Sequence, residues 1–233
     1  VRQRVMAHWL KFDRKVGVDN IVTLAKSILP LADAGDTWDR DPWLLGCANG
    51  LVDLRTGVIR DGTPLDRVTA STGHPFDPHT PCPRWQQFIR EVLPDPDVAT
   101  FVWRALGYSL TADMREQCFF LLYGKGRNGK STLLDIVGRV LGDYAHVAAF
   151  STFEQAQPGA PSYDLASLDG MRLVAAAEGS GKWLHSSRLK DVTGGEKVNA
   201  RHPYGRPFEF RPACKIWLST NELPRVADES EGM

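Results

Sequence analysis

FFLLYGKGRNGKSTLL, residues 119–134, is the stretch that decides the fold. The apolar run from Cys118 to Tyr123 predicts a buried strand, and residues Thr132 to Leu141 predict a helix with one leucine-rich face. Between them, residues 124–131 match the pattern G-x-x-x-x-G-K-[ST]. A strand, a glycine-rich loop and a helix in this order are typical of a phosphate-binding site.

Each residue type in this loop has a chemical reason. Gly124 and Gly129 let the backbone curl so that N–H groups point at an anion, and the following helix adds the positive end of its dipole. Lys130 can reach the β- and γ-phosphates of a nucleotide, and the Ser131 hydroxyl can bind Mg²⁺. The predicted nucleotide-binding residues are Gly124, Lys125, Gly126, Arg127, Asn128, Gly129, Lys130, Ser131 and Thr132.

The composition limits the classes of protein that fit. The chain has 233 residues, 42% of them hydrophobic, which is enough for a sizeable core. Its 28 basic and 28 acidic residues balance, so any nucleic-acid-binding surface must be local. The 4 cysteines form no C-x-x-C pair, which favours free thiols in a reducing compartment. We find no signal peptide and no stretch of 18 apolar residues, and the start at Val1 suggests part of a longer protein.

The N-terminal third predicts small elements that end in a proline-containing loop. Helical spacing covers residues 2–16 and a second segment capped by Asp19, and residues 43–60 predict a hairpin. The loop from Asp61 to Pro83 is the candidate boundary. We therefore expect an N-terminal helical and hairpin domain, residues 1–83, and an α/β nucleotide-binding domain, residues 84–233.

Two further apolar runs end in polar residues. Met171 to Glu178 predicts a buried parallel strand, whose functional end is the carboxyl end. Glu178 could there hold a metal ion or act as base for an attacking water, or it could simply open a surface turn. Cys214 to Asn221 predicts a third strand, and Asn221 could contact a γ-phosphate or begin an ordinary turn.

A basic and aromatic segment lies between these two runs. Residues 196–201 and 207–211 predict the strands of a β-hairpin around His202–Arg206. Arginine can grip phosphate and tyrosine can stack on a base, so the tip could bind nucleic acid. An ordinary exposed turn would have the same pattern.

Taken together, the loop, the two polar strand ends and the hairpin resemble the superfamily 3 helicases of the AAA+ class. The chain is more closely similar to the helicase part of phage and plasmid primase–helicases, which share a domain with the poxvirus primase–helicase. Five segments carry the likeness: NGLVDLRTG (49–57), GYSLTAD (107–113), YGKGRNGKSTLL (123–134), LKDVTGGEKVNAR (189–201) and LSTNELPR (218–225).

The resemblance implies an α/β P-loop NTPase of AAA+ type, with helices on both faces of a parallel sheet, behind a small mainly helical domain with a β-hairpin. It implies ATP and Mg²⁺ as cofactors, single-stranded DNA as partner and a homo-oligomeric, usually hexameric, ring. By resemblance, Lys130, Glu178 and Asn221 are catalytic, Ser131 and Glu178 hold the metal, and the DNA-binding residues are Arg201, His202, Tyr204 and Arg206.

Two departures from the family pattern matter. Gly179 follows Glu178, so one clear acid stands at that strand end, and no residue up to Met233 matches the family's arginine finger. Since such arginines are typically worth about 10³–10⁵ in rate, we expect this chain to bind nucleotide but to turn it over slowly. A non-catalytic nucleotide- and DNA-binding assembly module, or a P-loop small-molecule kinase, remain alternatives. A phage, prophage or plasmid protein of the bacterial cytoplasm, without a membrane partner, is the expected setting.

Overall fold

The computed structural model describes residues 15–28, 32–33, 35, 37–153, 163–177 and 183–227. The chain divides into two compact units, residues 1–38 and 39–233. In the first, helix α1 spans Lys15–Ala25. Asp19, the predicted cap, is instead an interior residue of this helix. Its backbone carbonyl accepts a hydrogen bond from the Thr23 hydroxyl at 2.7 Å. Most of the helix predicted over residues 2–16 lies outside the described residues.

The second unit opens with a three-stranded antiparallel meander. Its strands are β1 (Leu44–Cys47), β2 (Gly50–Asp53) and β3 (Val58–Arg60), in that order. The predicted hairpin between β2 and β3 is confirmed. The sequence did not indicate that β1 is a separate strand. The reason is a tight turn, since Gly50 pairs with Cys47 and takes a φ of +144°.

Two helices follow, as the sequence predicted. Helix α2 spans Pro83–Val92 and helix α3 spans Pro96–Ser109. The Asp95 side chain caps α3 by accepting hydrogen bonds from the backbone N–H groups of Asp97 and Val98. Residues 39–83 belong to the same compact unit as residues 84–233, and the domain boundary at residue 83 stays a prediction.

The centre of the unit is a four-stranded parallel sheet. Its order is β4 (Phe120–Tyr123), β10 (Lys215–Thr220), β6 (Leu173–Ala177) and β5 (Ala145–Ala149). The three strands predicted from apolar runs are confirmed as strands. The prediction that the first of them is buried is wrong, because β4 lies at the edge of the described sheet and its residues are half-buried or exposed. The fourth, β5, was missed because its short alanine-rich sequence carries little strand signal.

Both faces of this sheet are covered. On one face, Ala175 and Trp217 pack in a core with α2, α3, helix α4 (Lys130–Leu141) and the meander. On the other, Val174 and Ile216 pack in a second core. That core also draws on the short helix α5 (Tyr163–Ala166), helix α6 (Ser186–Thr193) and the hairpin β8 (Val198–Arg201) to β9 (Pro207–Phe210). The alternation follows from the two-residue period of a strand and confirms the α/β class.

Smaller elements complete the unit. Strand β7 (Trp183–His185) pairs in parallel with β11 (Arg225–Ala227), so the helix predicted from Leu184 begins only at Ser186. Short 3₁₀ turns cover Pro64–Asp66, Gly142–Tyr144 and Phe150–Phe153. Among the described helices, none combines the length and apolarity that a membrane crossing requires.

Two buried cations hold the end of α3 against the start of the sheet. Arg172 and Lys215 are 3% and 1% exposed. The Arg172 guanidinium donates to the carbonyl of Leu110 at 2.7 Å, and the Lys215 ammonium donates to the carbonyl of Thr111 at 2.7 Å. These carbonyls follow the last residue of α3, where the helix dipole is negative, so the two charges stabilise the helix end.

Lys215 gives the fold a defined pH response. Burial lowers the pKa of its ammonium to about 8 from 10.5. Between these values the unfolded chain binds the proton more tightly than the folded chain, so this lysine's contribution to the unfolding free energy improves as pH rises. Relative to Lys215→Met, the wild type should gain up to about 3 kcal/mol between pH 8 and 10.5. Urea unfolding of both proteins across this range measures the difference, and parallel profiles would contradict it.

Candidate nucleotide-binding site

The glycine-rich loop lies between the end of β4 at Tyr123 and the start of α4 at Lys130, as predicted. Two of its glycines have backbone angles that favour glycine, with φ of +152° at Gly124 and +87° at Gly129. Gly129 is the residue immediately before the 12-residue helix α4. The loop therefore brings its backbone N–H groups to a helix N-terminus, which is an arrangement suited to anions.

The Lys130 ammonium joins the loop to a second strand end. It donates hydrogen bonds to the carbonyl of Gly124, to Asn128 Oδ1 at 2.9 Å and to Asn221 Oδ1 at 3.3 Å. Asn221 comes directly after β10, which pairs with β4. The structure thus brings together Lys130 and Asn221, two predicted site residues that are 91 positions apart in the chain.

A polar pocket of about 270 Å³ opens beside this contact. Its lining comes from the loop, from the first turn of α4 and from the carboxyl ends of β6 and β10. The lining residues are Gly126, Arg127, Asn128, Gly129, Lys130, Ser131, Thr132, Ala177, Ser219 and Asn221. Carboxyl ends of neighbouring parallel strands are the usual ligand-binding edge of such a sheet. The donor set of loop N–H groups, an ammonium and side-chain hydroxyls fits a polyphosphate, and the exposed Ser131 hydroxyl fits a magnesium ligand.

Some predicted residues stand apart from this pocket. Lys125 is exposed on the loop but is absent from the pocket lining. Ala177 lines the pocket and pairs with Ser219, and the next residue, Glu178, lies outside the described residues. The roles of Glu178 as base and as metal ligand therefore stay predictions.

The sequence indicates neither a site role for Ser219 nor the residues of α2 that pack against the loop. Ser219 lies in the polar end of a predicted strand and carries no signal of its own. A Cβ on Gly129 would stand 2.6 Å from Val92 Cγ1 and 3.3 Å from the Phe88 ring, so α2 packs directly against the loop. No local sequence pattern in α2 predicts this contact, because it joins segments that are about forty residues apart in the chain.

Gly129→Ala is expected to destabilise the protein by about 2–4 kcal/mol, from left-handed backbone strain and from the clash with Val92. Gly126→Ala is the matched control, since a Cβ there meets no atom within 4 Å. Its unfolding free energy should stay within about 0.5 kcal/mol of the wild type. Urea unfolding measures both, and equal effects of the two substitutions would contradict the packing of α2 on the loop.

The basic hairpin is confirmed as a hairpin with an exposed tip. Arg201, His202, Tyr204 and Arg206 are all exposed, and the Tyr204 side chain is entirely so. The Arg201 Nε–H donates to the carbonyl of Gly205 at 2.8 Å, which braces the tip. The His202 ring stacks on Phe208 with centroids 5.0 Å apart, so its face is partly engaged within the hairpin.

Two protein families and several viral proteins are similar to parts of this chain. A family described as "D5 N terminal like" matches residues 1–94, and one described as a family of unknown function matches residues 122–232. A candidate helicase of Acanthamoeba polyphaga mimivirus is 29% identical over 202 residues, covering 83% of this chain and 21% of that protein. A candidate primase of African swine fever virus is 27% identical over 201 residues, covering 79% of this chain and 20% of that protein.

The apo structure of the NrS-1 C-terminal region shares the fold. It superimposes with a TM-score of 0.53 at 16% identity, over 74% of this chain and 40% of that one. The chain is therefore similar in sequence to viral proteins named as helicase or primase, and in fold to the NrS-1 C-terminal region. This confirms the family resemblance seen in the sequence. The chain spans about a fifth of the length of the two viral relatives. Both of these relatives come from the two viruses named above and not from a phage or plasmid. The phage or plasmid origin and the bacterial host therefore stay predictions.

Proposed function

We propose that this chain is a primase–helicase module and the ATP-driven motor of a DNA helicase. The observation that carries the proposal is the hydrogen bond between Lys130 Nζ and Asn221 Oδ1 at 3.3 Å, inside a polar pocket at the carboxyl edge of the sheet. It joins the phosphate loop to the end of the neighbouring strand. A residue at that position can sense the terminal phosphate and pass its loss to β10.

The residues have separate tasks in hydrolysis. Loop N–H groups and the Lys130 ammonium hold the β- and γ-phosphates and stabilise the charge that develops on them. Glu178, by its place in the sequence after Ala177, activates the attacking water, and Asn221 contacts the γ-phosphate. Mg²⁺, held by Ser131 and Glu178, would supply further charge stabilisation.

The hairpin from Val198 to Phe210 is the proposed DNA contact. Its exposed tip carries two arginines for phosphates and a tyrosine whose ring is free to stack on a base. Hydrolysis would move this tip and the single strand with it. A homo-hexameric ring, as the family resemblance implies, belongs to the same proposal.

The proposal is tested by ATP turnover with and without single-stranded DNA. We expect slow turnover that rises when DNA is added, and no turnover with Lys130→Ala. Tight binding of both ATP and DNA without any turnover, also with the longer protein, would instead support the non-catalytic assembly module. Turnover that responds to a small acceptor molecule and not to DNA would support the kinase.

The hairpin makes a separate prediction about DNA affinity. Arg201→Ala with Arg206→Ala should weaken binding of an oligothymidine and lower its salt slope by about 0.7 for each DNA phosphate that is no longer neutralised. Tyr204→Ala should weaken the free energy of DNA binding by about 1–3 kcal/mol, because no ring remains to stack on a base. The salt slope should not change. Fluorescence anisotropy at several salt concentrations measures both. Lys197→Ala is the control, because that lysine comes just before β8, away from the tip, and pairs with Glu209 of β9 at 3.4 Å. An unchanged slope in the double variant would remove the hairpin from the DNA contact.

A further inference from the structure

A second pocket, of about 140 Å³, adjoins the phosphate pocket and shares three residues with it. The shared residues are Asn128, Gly129 and Lys130. The rest of its lining comes from the end of α2, from α3, β4 and α4. These residues are Val92, Leu93, Val102, Leu122, Tyr123 and Leu133.

This second pocket has a firm, mostly apolar wall. Val102 and Leu133 are 6% and 4% exposed and belong to the core, so they form a fixed floor. Tyr123 is 57% exposed and stands at the edge. Val92 is held against Gly129 by the packing of α2 on the loop, which fixes the distance between this wall and the phosphate loop.

We infer that this pocket takes the base of the nucleotide whose phosphates occupy the loop. The inference rests on the proposed function, because it names the remainder of the same ligand. A nucleotide has a flat base with apolar faces and a charged triphosphate, so its site needs an apolar pocket next to a polar one. The two pockets here are adjacent and share Asn128 and Lys130.

The mostly apolar lining of this pocket also predicts weak selectivity among nucleotide bases. Among the described lining residues, polar side-chain groups belong only to Asn128, Lys130 and Tyr123. Asn128 and Lys130 are hydrogen-bonded to each other. A pocket that recognises its ligand by apolar contact discriminates weakly, whereas one that hydrogen-bonds a base edge discriminates strongly. ATP and GTP should therefore bind within about tenfold of each other.

The experiment separates the base from the phosphates. Calorimetry with Mg²⁺ compares ATP, GTP and inorganic triphosphate on the wild type, Tyr123→Ala, Leu93→Ala and Leu65→Ala. Leu65 is the control, a leucine 89% exposed and outside the pocket. We expect Tyr123→Ala and Leu93→Ala to weaken ATP about 5- to 30-fold and to leave triphosphate affinity unchanged. The unchanged triphosphate affinity also shows that each variant is folded.

Each outcome decides a different point. Unchanged ATP affinity in the exposed Tyr123→Ala and in Leu93→Ala, with triphosphate still bound, overturns the base pocket and leaves the proposed function standing. GTP binding more than about a hundredfold weaker than ATP overturns the apolar mode of recognition. A wild type that binds neither ATP nor triphosphate overturns the base pocket and the proposed function together. As an independent readout, 8-azido-ATP should crosslink to peptides that contain Leu93 or Tyr123.

Discussion

Replacing Lys130 with alanine should lower the affinity for Mg²⁺·ATP at least about a hundredfold. In the structure the ammonium lies between the loop and Asn221, with Asn128 Oδ1 at 2.9 Å, and from there it can exchange these neutral oxygens for phosphate oxygens. Hydrogen bonds to charged groups contribute about 1.5–3 kcal/mol each, so the loss of two is worth two or more decades in affinity. Calorimetric titration with ATP and with inorganic triphosphate measures the loss, and both ligands should be affected alike.

Lys197→Ala is the matched control for Lys130→Ala, because it removes the same charge from an exposed position that is not in the pocket lining. It should bind ATP as the wild type does. Tight ATP binding by Lys130→Ala would count against the loop as the phosphate site. Should only ATP, and not triphosphate, be affected, Lys130 would be contacting the base or ribose instead.

Arg172→Met should lower the unfolding free energy by about 3–5 kcal/mol. The guanidinium donates to the carbonyls of Leu44, Asp41 and Leu110, and it lies over the Tyr144 ring at 4.5 Å. Burial lowers its pKa, and the negative charge of Asp39 opposes that effect. Each buried carbonyl that loses its donor costs about 1–3 kcal/mol, and relief of the buried charge recovers part of the sum.

Arg40→Met is the control for Arg172→Met. Arg40 is half exposed and forms a 3.8 Å ion pair with Asp169, so its loss should cost less than about 1 kcal/mol. Chemical denaturation of the three proteins at pH 7 gives the comparison. If Arg172→Met were as stable as Arg40→Met, the meander would be attached to the sheet mainly by its apolar contacts.

The sequence predicts the glycine-rich loop and its place between a strand and a helix well, because the signals there are local. The spacing of Gly124, Gly129 and Lys130 follows from the backbone that a phosphate loop needs, and Asn221 is marked by following an apolar strand. The fold class follows from the same apolar runs. Glu178 and the hairpin tip carry equally local signals, and their functional roles stay predictions.

Long-range packing explains what the sequence does not reveal. Arg172 and Lys215 would be expected on the surface, yet their partners are backbone carbonyls, which every residue has and no sequence pattern marks. The second pocket, which we propose for the base, likewise combines Leu93, Val102 and Tyr123 from three segments, each with an ordinary apolar pattern. The extent of strand β5 depends on its pairing with β6 more than on its own composition.

The pairing of β4 with β10 has a consequence for synthesis on the ribosome. Within the described sheet, β4 has β10 as its neighbour, although about ninety residues of chain separate the two strands. The glycine-rich loop is therefore synthesised long before β10, which completes the candidate site, leaves the exit tunnel. Until then the apolar Phe120–Tyr123 segment is a risk for wrong pairing, and a nascent chain should become resistant to protease in this region only after Asn221 has emerged.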